Sequence, residues 1–68
     1  MNPQPDALKI VLVEDERMFS EMLARSINDL TGLELVARAF TVAEGVKVCE
    51  QHLPDLVIAD LALPDGNG

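Results

Sequence analysis

Two short apolar runs, each followed by acidic residues, constrain the fold of this chain more than any other feature. Residues Leu8 to Val13 are apolar apart from one lysine, and Glu14-Asp15-Glu16 follows them. Residues Leu56 to Ala59 are wholly apolar, and Asp60 comes next. Runs of this kind indicate strands that are covered on both faces, as in a parallel sheet. Open α/β sheets place their chemistry beyond the carboxyl ends of such strands.

The segment that follows the first run has the periodicity of an amphipathic helix. Apolar side chains, with one serine among them, recur at helical spacing at Phe19, Met22, Leu23, Ser26, Ile27 and Leu30. We expect this stripe to face the sheet, Ser20 to lie on the helix surface and Gly32 to cap the helix C-terminus.

A second helix is predicted from Thr41 to about His52. The sequence Thr41-Val42-Ala43-Glu44 matches the S/T-x-x-E capping box, and Pro54 ends the helical pattern. Gly45 inside this segment weakens the helix slightly. The residues that we expect this helix to bury are Val46, Cys49 and Leu53.

Leu33 to Phe40 alternates roughly between two faces and predicts a further strand, so the element order is strand-helix-strand-helix-strand. Parallel strands joined by helices use right-handed crossovers, and one crossover must go to each side of the first strand if both sheet faces are to be covered. The predicted architecture is therefore an α/β fold with a doubly wound parallel sheet in the order 2-1-3.

This topology brings together the acidic residues of two strand ends. Asp15 and Asp60 are expected to meet at the switch point of the sheet, with Glu14 alongside. Crowded carboxylates repel one another unless a cation binds, and Mg²⁺ suits one or two carboxylates that leave positions for water and phosphate oxygens. The Asp60 carboxylate is then a candidate nucleophile for a phosphoryl group. The alternative is that each acidic strand end is only a solvated loop with an N-cap.

Composition argues against several classes of function. The 68 residues carry a net charge of −7, and the five basic residues are scattered, so the chain offers no electrostatic footprint for nucleic acid. Cys49 has no partner cysteine, and no Cys/His spacing suggests zinc. Residues 1–7 contain no secretory signal and are expected to form a flexible lead. Because no apolar stretch is long enough to span a bilayer, no membrane contact and a cytoplasmic location are the default expectations.

Two of these motifs resemble those of bacterial response-regulator receiver domains, the CheY-like domains. The stretch Val11-Leu12-Val13-Glu14-Asp15-Glu16 is similar to the acidic pair that ends their first strand. The segment Leu56 to Gly68 is similar to their phosphoacceptor segment, with matching positions at Asp60, Leu63, Pro64 and Gly68. The stretch Pro54 to Leu61 most resembles the NarL/FixJ branch, whose members usually carry a C-terminal LuxR-type helix-turn-helix.

The resemblance implies a flavodoxin-like fold and a role in two-component signal transduction. Asp60 would accept a phosphoryl group from a sensor histidine kinase, Asp15 would bind Mg²⁺ directly, and Glu14 would bind it through water or help to position it. Asp60 and the backbone carbonyl of Ala62 would be further metal ligands. Such a domain assists its own phosphorylation and dephosphorylation but is not an enzyme with an external substrate. Its output would be a DNA-binding region outside these residues.

By the same resemblance, residues 8–68 correspond to the N-terminal part of a receiver domain, which stops after the third strand. In this family the Ser/Thr and Lys that bind the phosphoryl group belong to later strands, and Lys9 and Lys47 lie in other elements. Glu14 stands where Asp is commoner, and Ala62 replaces a frequent Asn. Because the third strand is apolar on both faces, we expect homo-oligomers that form through exposed strand edges.

Two alternatives stay open. One is a fragment of a Mg²⁺-dependent phosphohydrolase with an aspartate nucleophile, although such enzymes usually show two Asp residues separated by one position, which Glu14-Asp15-Glu16 does not supply. The other is an inert, dimerising receiver-like fragment.

Overall fold

Three strands and two helices alternate along the chain in the computed structural model, which describes residues 7–59. The strands are β1 (Leu8–Val13), β2 (Leu33–Ala39) and β3 (Leu56–Ala59), and the helices are α1 (Arg17–Asn28) and α2 (Val42–His52). All five predicted elements are present in the predicted order. Neither helix in this range combines the length and the hydropathy that crossing a membrane requires.

The strands form one parallel sheet in the order β2-β1-β3. The predicted α/β fold with strand order 2-1-3 is therefore confirmed. β1 lies in the middle, and its residues from Ile10 to Val13 are buried. These four apolar residues are shielded by the neighbouring strands and by a helix on each face of the sheet, as their sequence predicts.

Each helix covers one face of β1. Val11 and Val13 form a buried cluster against which Val42 and Cys49 of the α2 side pack. Alternation along the strand directs Leu12 to the opposite face, where it lines the same groove as the α1 residue Leu23. The two crossovers therefore lie on opposite faces of the sheet, which makes it doubly wound.

Gly45 of α2 packs closely against the sheet. It is buried, and a Cβ atom placed on it would lie 3.0 Å from Cγ2 of Val13. The sequence suggested only that this glycine weakens the helix. In the structure its missing side chain lets α2 pack directly on β1.

The predicted orientation of α1 is partly wrong. Ser20, expected on the surface, is 0% exposed, and Ala24 and Ile27 are buried with it, whereas Phe19 and Met22 are exposed. The buried face of the helix is therefore formed by Ser20, Ala24 and Ile27. Nη1 of Arg38 on β2 lies 3.5 Å from Oγ of Ser20.

The predicted cap of α1 is also wrong. The helix ends at Asn28, and Asp29 is the C-cap, with its N–H donating to the carbonyl of Arg25 at 3.1 Å. Gly32 lies further along, in the turn before β2, with a φ of 90° that favours glycine. Its carbonyl accepts from the N–H of Leu8 at 2.9 Å, so this glycine ties the turn to the start of β1.

Two of the three residues that α2 was expected to bury are exposed. Cys49 is half-buried, but Val46 and Leu53 are largely accessible to solvent. They face the space beside β3, where no other element of residues 7–59 packs. Leu53 ends the helix in a left-handed conformation, with a φ of 49°, and its N–H donates to the carbonyl of Cys49.

Candidate functional site

The carboxyl ends of the three strands lie side by side at one edge of the sheet. In the register of β1 and β3, Val13 is the partner of Ala59. On the other side, Val13 is the partner of Ala39, and the N–H of Glu14 donates to the carbonyl of Ala39 at 2.9 Å. The acidic loop after β1 is therefore anchored between the ends of its two neighbours.

Glu14 is buried and hydrogen-bonded. The residue is only 3% exposed, and Oε2 of its carboxylate accepts from the N–H of Glu16 at 3.0 Å. A carboxylate that accepts a backbone N–H two residues ahead closes a tight local turn. This bond fixes the path of the chain across Asp15.

Glu16 caps helix α1. Its backbone is extended, and its Oε1 accepts from the N–H of Phe19 at 2.8 Å. A carboxylate in this position satisfies a free N–H of the first turn and is favoured by the positive end of the helix dipole. The alternative of a solvated loop with an N-cap included this role, but it did not single out Glu16.

Asp15 is the acidic residue of this loop that remains free to bind a ligand. It is exposed, and within residues 7–59 its carboxylate has no hydrogen-bond partner or ion pair. Hard cations such as Mg²⁺ take oxygen ligands of this kind. The loop therefore presents the carboxylate of Asp15 and holds it between those of Glu14 and Glu16, which already accept hydrogen bonds.

The other predicted site residues, Asp60 and Ala62, lie outside the described residues, as do residues 1–6 of the predicted lead. Asp60 follows Ala59 directly in the sequence. Within residues 7–59, no group of three acidic, histidine or cysteine side chains is arranged to hold a metal ion. The meeting of Asp15 with Asp60 stays a prediction, and so do the metal-binding roles of Glu14, Asp15, Asp60 and Ala62.

Beside this loop, Arg17 makes a cation–π contact that we did not predict from the sequence. The guanidinium carbon of Arg17 stands 4.6 Å from the centre of the Phe40 ring, a cation–π distance. Phe40 is held in turn by its N–H, which donates to Oε1 of Glu44 at 2.8 Å. The residue after β2 thus holds the first residue of α1 in place.

Known proteins resemble this chain in sequence. It is 36% identical over 62 residues to the probable C4-dicarboxylate response regulator DctR of Priestia megaterium, a match that covers 91% of this chain and 27% of DctR. It is 34% identical over 58 residues to the chemotaxis protein CheY of Bacillus subtilis, covering 85% of this chain and 48% of CheY. No family model matches the chain.

One solved structure has the same fold. The signal receiver domain of the putative response regulator NarL from Mycobacterium tuberculosis superposes with a TM-score of 0.85 at 24% identity. The match covers 90% of this chain and 49% of that domain. The chain thus spans about a quarter to a half of the length of these relatives. It has the sequence pattern and the fold of the N-terminal part of a CheY-like response-regulator receiver domain, as its motifs predicted.

Proposed function

We propose that this chain is a phosphoacceptor segment of two-component signal transduction and that Asp60 receives the phosphoryl group. The observation that carries the proposal is the pairing of Val13 with Ala59, which sets the ends of β1 and β3 side by side. The residues that follow them in the sequence are Glu14-Asp15 and Asp60. The relatives named response regulators and the chemotaxis protein CheY support the same class of function.

In the proposed reaction, a sensor histidine kinase supplies the phosphoryl group from a phosphohistidine. The P–N bond breaks, a P–O bond forms to the Asp60 carboxylate, and the histidine leaves as neutral imidazole after taking up a proton. When bound, Mg²⁺ supplies positive charge that neutralises the transferred oxygens. The chain is therefore proposed to be a signalling partner of the kinase and not an enzyme with an external substrate.

The residues of this chain would hold the metal and keep the loop in shape. Asp15 offers the free carboxylate, and Asp60 and the carbonyl of Ala62 are proposed as further ligands. Glu14 is proposed to bind Mg²⁺ through water or to help to position it, since its buried carboxylate already accepts from the N–H of Glu16. Oxygen ligands alone, with positions left for water and phosphate, match the preference of Mg²⁺.

Phosphorylation by a small acyl phosphate tests the proposal. The chain is incubated with acetyl phosphate and Mg²⁺, and its intact mass is measured. We expect the gain of one phosphoryl group, no gain after chelation of Mg²⁺, and no gain in the variant Asp60→Asn. Asp65→Asn is the matched control, because it makes the same chemical change five positions along the same segment, and it should be labelled like the unmodified chain.

The outcomes separate the alternatives. Labelling that survives Asp60→Asn, or that is lost equally in Asp65→Asn, contradicts the assignment of Asp60. No labelling of any variant favours the inert receiver-like fragment. Release of phosphate from an external phosphate ester, at many turnovers per chain, favours the phosphohydrolase. We further propose that in a longer protein the phosphorylated state controls a DNA-binding output region.

A further inference from the structure

Arg17 is an exposed cation that makes no ion pair within residues 7–59. It is the first residue of α1 and comes two positions after Asp15. Its neighbour one helical turn along is Glu21, the usual partner at this spacing. The carboxylate of Glu21, however, lies 3.3 Å from Nη1 of Arg38 and 4.0 Å from Nε of Arg25. The guanidinium of Arg17 lies over the ring of Phe40 instead.

The backbone that carries the Phe40 ring is bonded on both sides. The N–H of Phe40 donates to Oε1 of Glu44 at 2.8 Å, and the N–H of Glu44 donates to Oγ1 of Thr41 at 3.1 Å. Directly before Phe40, the carbonyl of Ala39 accepts from the N–H of Glu14 at 2.9 Å. These bonds join the turn after β2 to α2 and to the acidic loop, so the ring offers a cation a fixed surface beside that loop.

Asp15 is the carboxylate of the acidic loop that a released Arg17 would meet. Glu14 and Glu16 already accept from backbone N–H groups, whereas Asp15 has no such bond in the part of the chain that the structure describes. An arginine side chain has a long flexible stem and a charged head that attracts a nearby carboxylate. A guanidinium paired with Asp15 would also repel an incoming metal ion. Arg17 is therefore a built-in competitor for the proposed cation site.

We propose that Phe40 keeps the Asp15 carboxylate open to a divalent cation by holding Arg17 on its ring. This inference rests on the proposed role of Asp15 as a metal ligand. Phe40 is a positioning residue, because it acts on that carboxylate only through Arg17. A cation–π contact at an exposed site and an exposed ion pair have similar strengths. Loss of the ring should therefore shift Arg17 towards the carboxylate.

Titration with Mn²⁺, which like Mg²⁺ favours oxygen ligands, tests the proposal through the broadening of the amides of residues 14 and 15. Phe40→Leu keeps an apolar side chain but removes the ring, and it should weaken Mn²⁺ binding by roughly two- to fivefold, the range that an exposed ion pair supplies. Adding Arg17→Gln to this variant should restore the binding. Adding Arg25→Gln, the same charge change in the last turn of α1, is the matched control and should not restore it.

Two further measurements do not depend on the Phe40→Leu variant binding metal. Phe40→Tyr keeps an aromatic face and should bind Mn²⁺ like the unmodified chain. In the unmodified chain without metal, the side-chain protons of Arg17 should be shifted upfield by the ring current of Phe40.

Absence of this upfield shift overturns the proposal, and so does Mn²⁺ binding that is unchanged in Phe40→Leu. Restoration by Arg25→Gln as complete as that by Arg17→Gln overturns it too, because the effect would then be one of net charge. These outcomes leave the proposed function standing. Absence of Mn²⁺ binding to the unmodified chain contradicts the metal site of the proposed function itself, and this inference fails with it.

Discussion

Glu14, Asp15 and Glu16 are three adjacent acidic residues with three different environments. The first is buried and braces the turn, the third caps α1, and Asp15 alone is exposed and without a hydrogen bond within residues 7–59. The sequence predicted an acidic cluster at this strand end and singled out Asp15 and Glu14 as metal-binding residues. It did not reveal which of the three is buried, which caps the helix and which stays exposed, because that depends on which carboxylate the backbone of the turn can reach.

Removal of the Glu14 side chain should destabilise the fold. Glu14→Ala leaves the N–H of Glu16 without its acceptor and empties a buried position, so the free energy of unfolding should fall by about 1–3 kcal/mol. Urea unfolding followed by circular dichroism measures this. Asp15→Ala, one residue away, is the control and should stay within about 0.5 kcal/mol of the unmodified chain, as exposed substitutions do. Equal losses in both variants would show that Glu14 does not brace the loop.

At the scale of elements, the strands and the N-terminal cap of α2 were predicted better than the helix faces and the caps of α1. The capping box at α2 is confirmed in part: the N–H of Glu44 donates to Oγ1 of Thr41 at 3.1 Å, while the Glu44 carboxylate accepts from Phe40 and not from Thr41. Such bonds are local and follow from spacing. The buried face of α1 was not predictable in this way, because Arg38 comes from β2, and its bonds to Ser20 and Glu21 depend on tertiary packing.

A single residue fastens the start of β3 to β1. The N–H of Lys9 donates to Oδ2 of Asp55 at 2.8 Å, and the N–H of Asp55 donates to the carbonyl of Lys9 at the same distance. The sequence predicted only that Asp55 precedes the strand. This pair of bonds holds the four-residue strand in the register that aligns Ala59 with Val13.

Loss of the Asp55 carboxylate should therefore loosen β3 selectively. Asp55→Ala removes one of the two bonds to Lys9 and should lower the free energy of unfolding by about 0.5–1.5 kcal/mol. Amides of Leu56–Ala59 should exchange faster than those of β2, measured by hydrogen exchange under native conditions. Asp29→Ala, at the exposed end of α1, is the matched control. Uniform acceleration along all three strands would contradict a local role for Asp55.

At the scale of the whole molecule, the alternation of strands and helices was enough to predict the order 2-1-3 and the adjacency of β1 and β3. Right-handed crossovers and the need to cover both faces leave few other arrangements. The exposure of Val46, Leu53 and Val57 was not predicted. Apolar periodicity identifies the face that a residue occupies, but it does not report whether a neighbouring element covers that face.

Paramagnetic broadening by Mn²⁺, used in place of Mg²⁺ because both favour oxygen ligands, tests most directly whether the ends of β1 and β3 form one cation site. At low Mn²⁺ the amide resonances of residues 14, 15, 59 and 60 should broaden first. Those of Lys9 and Asp55, near the N-terminal ends of β1 and β3, should stay sharp. Asp15→Asn should weaken Mn²⁺ binding by roughly tenfold or more, because mutation of a residue that only hydrogen-bonds to a metal ligand already lowers the affinity by about that factor. Asp29→Asn should leave the binding unchanged. Broadening that is spread over the exposed carboxylates, or that is unchanged in Asp15→Asn, would contradict a shared site.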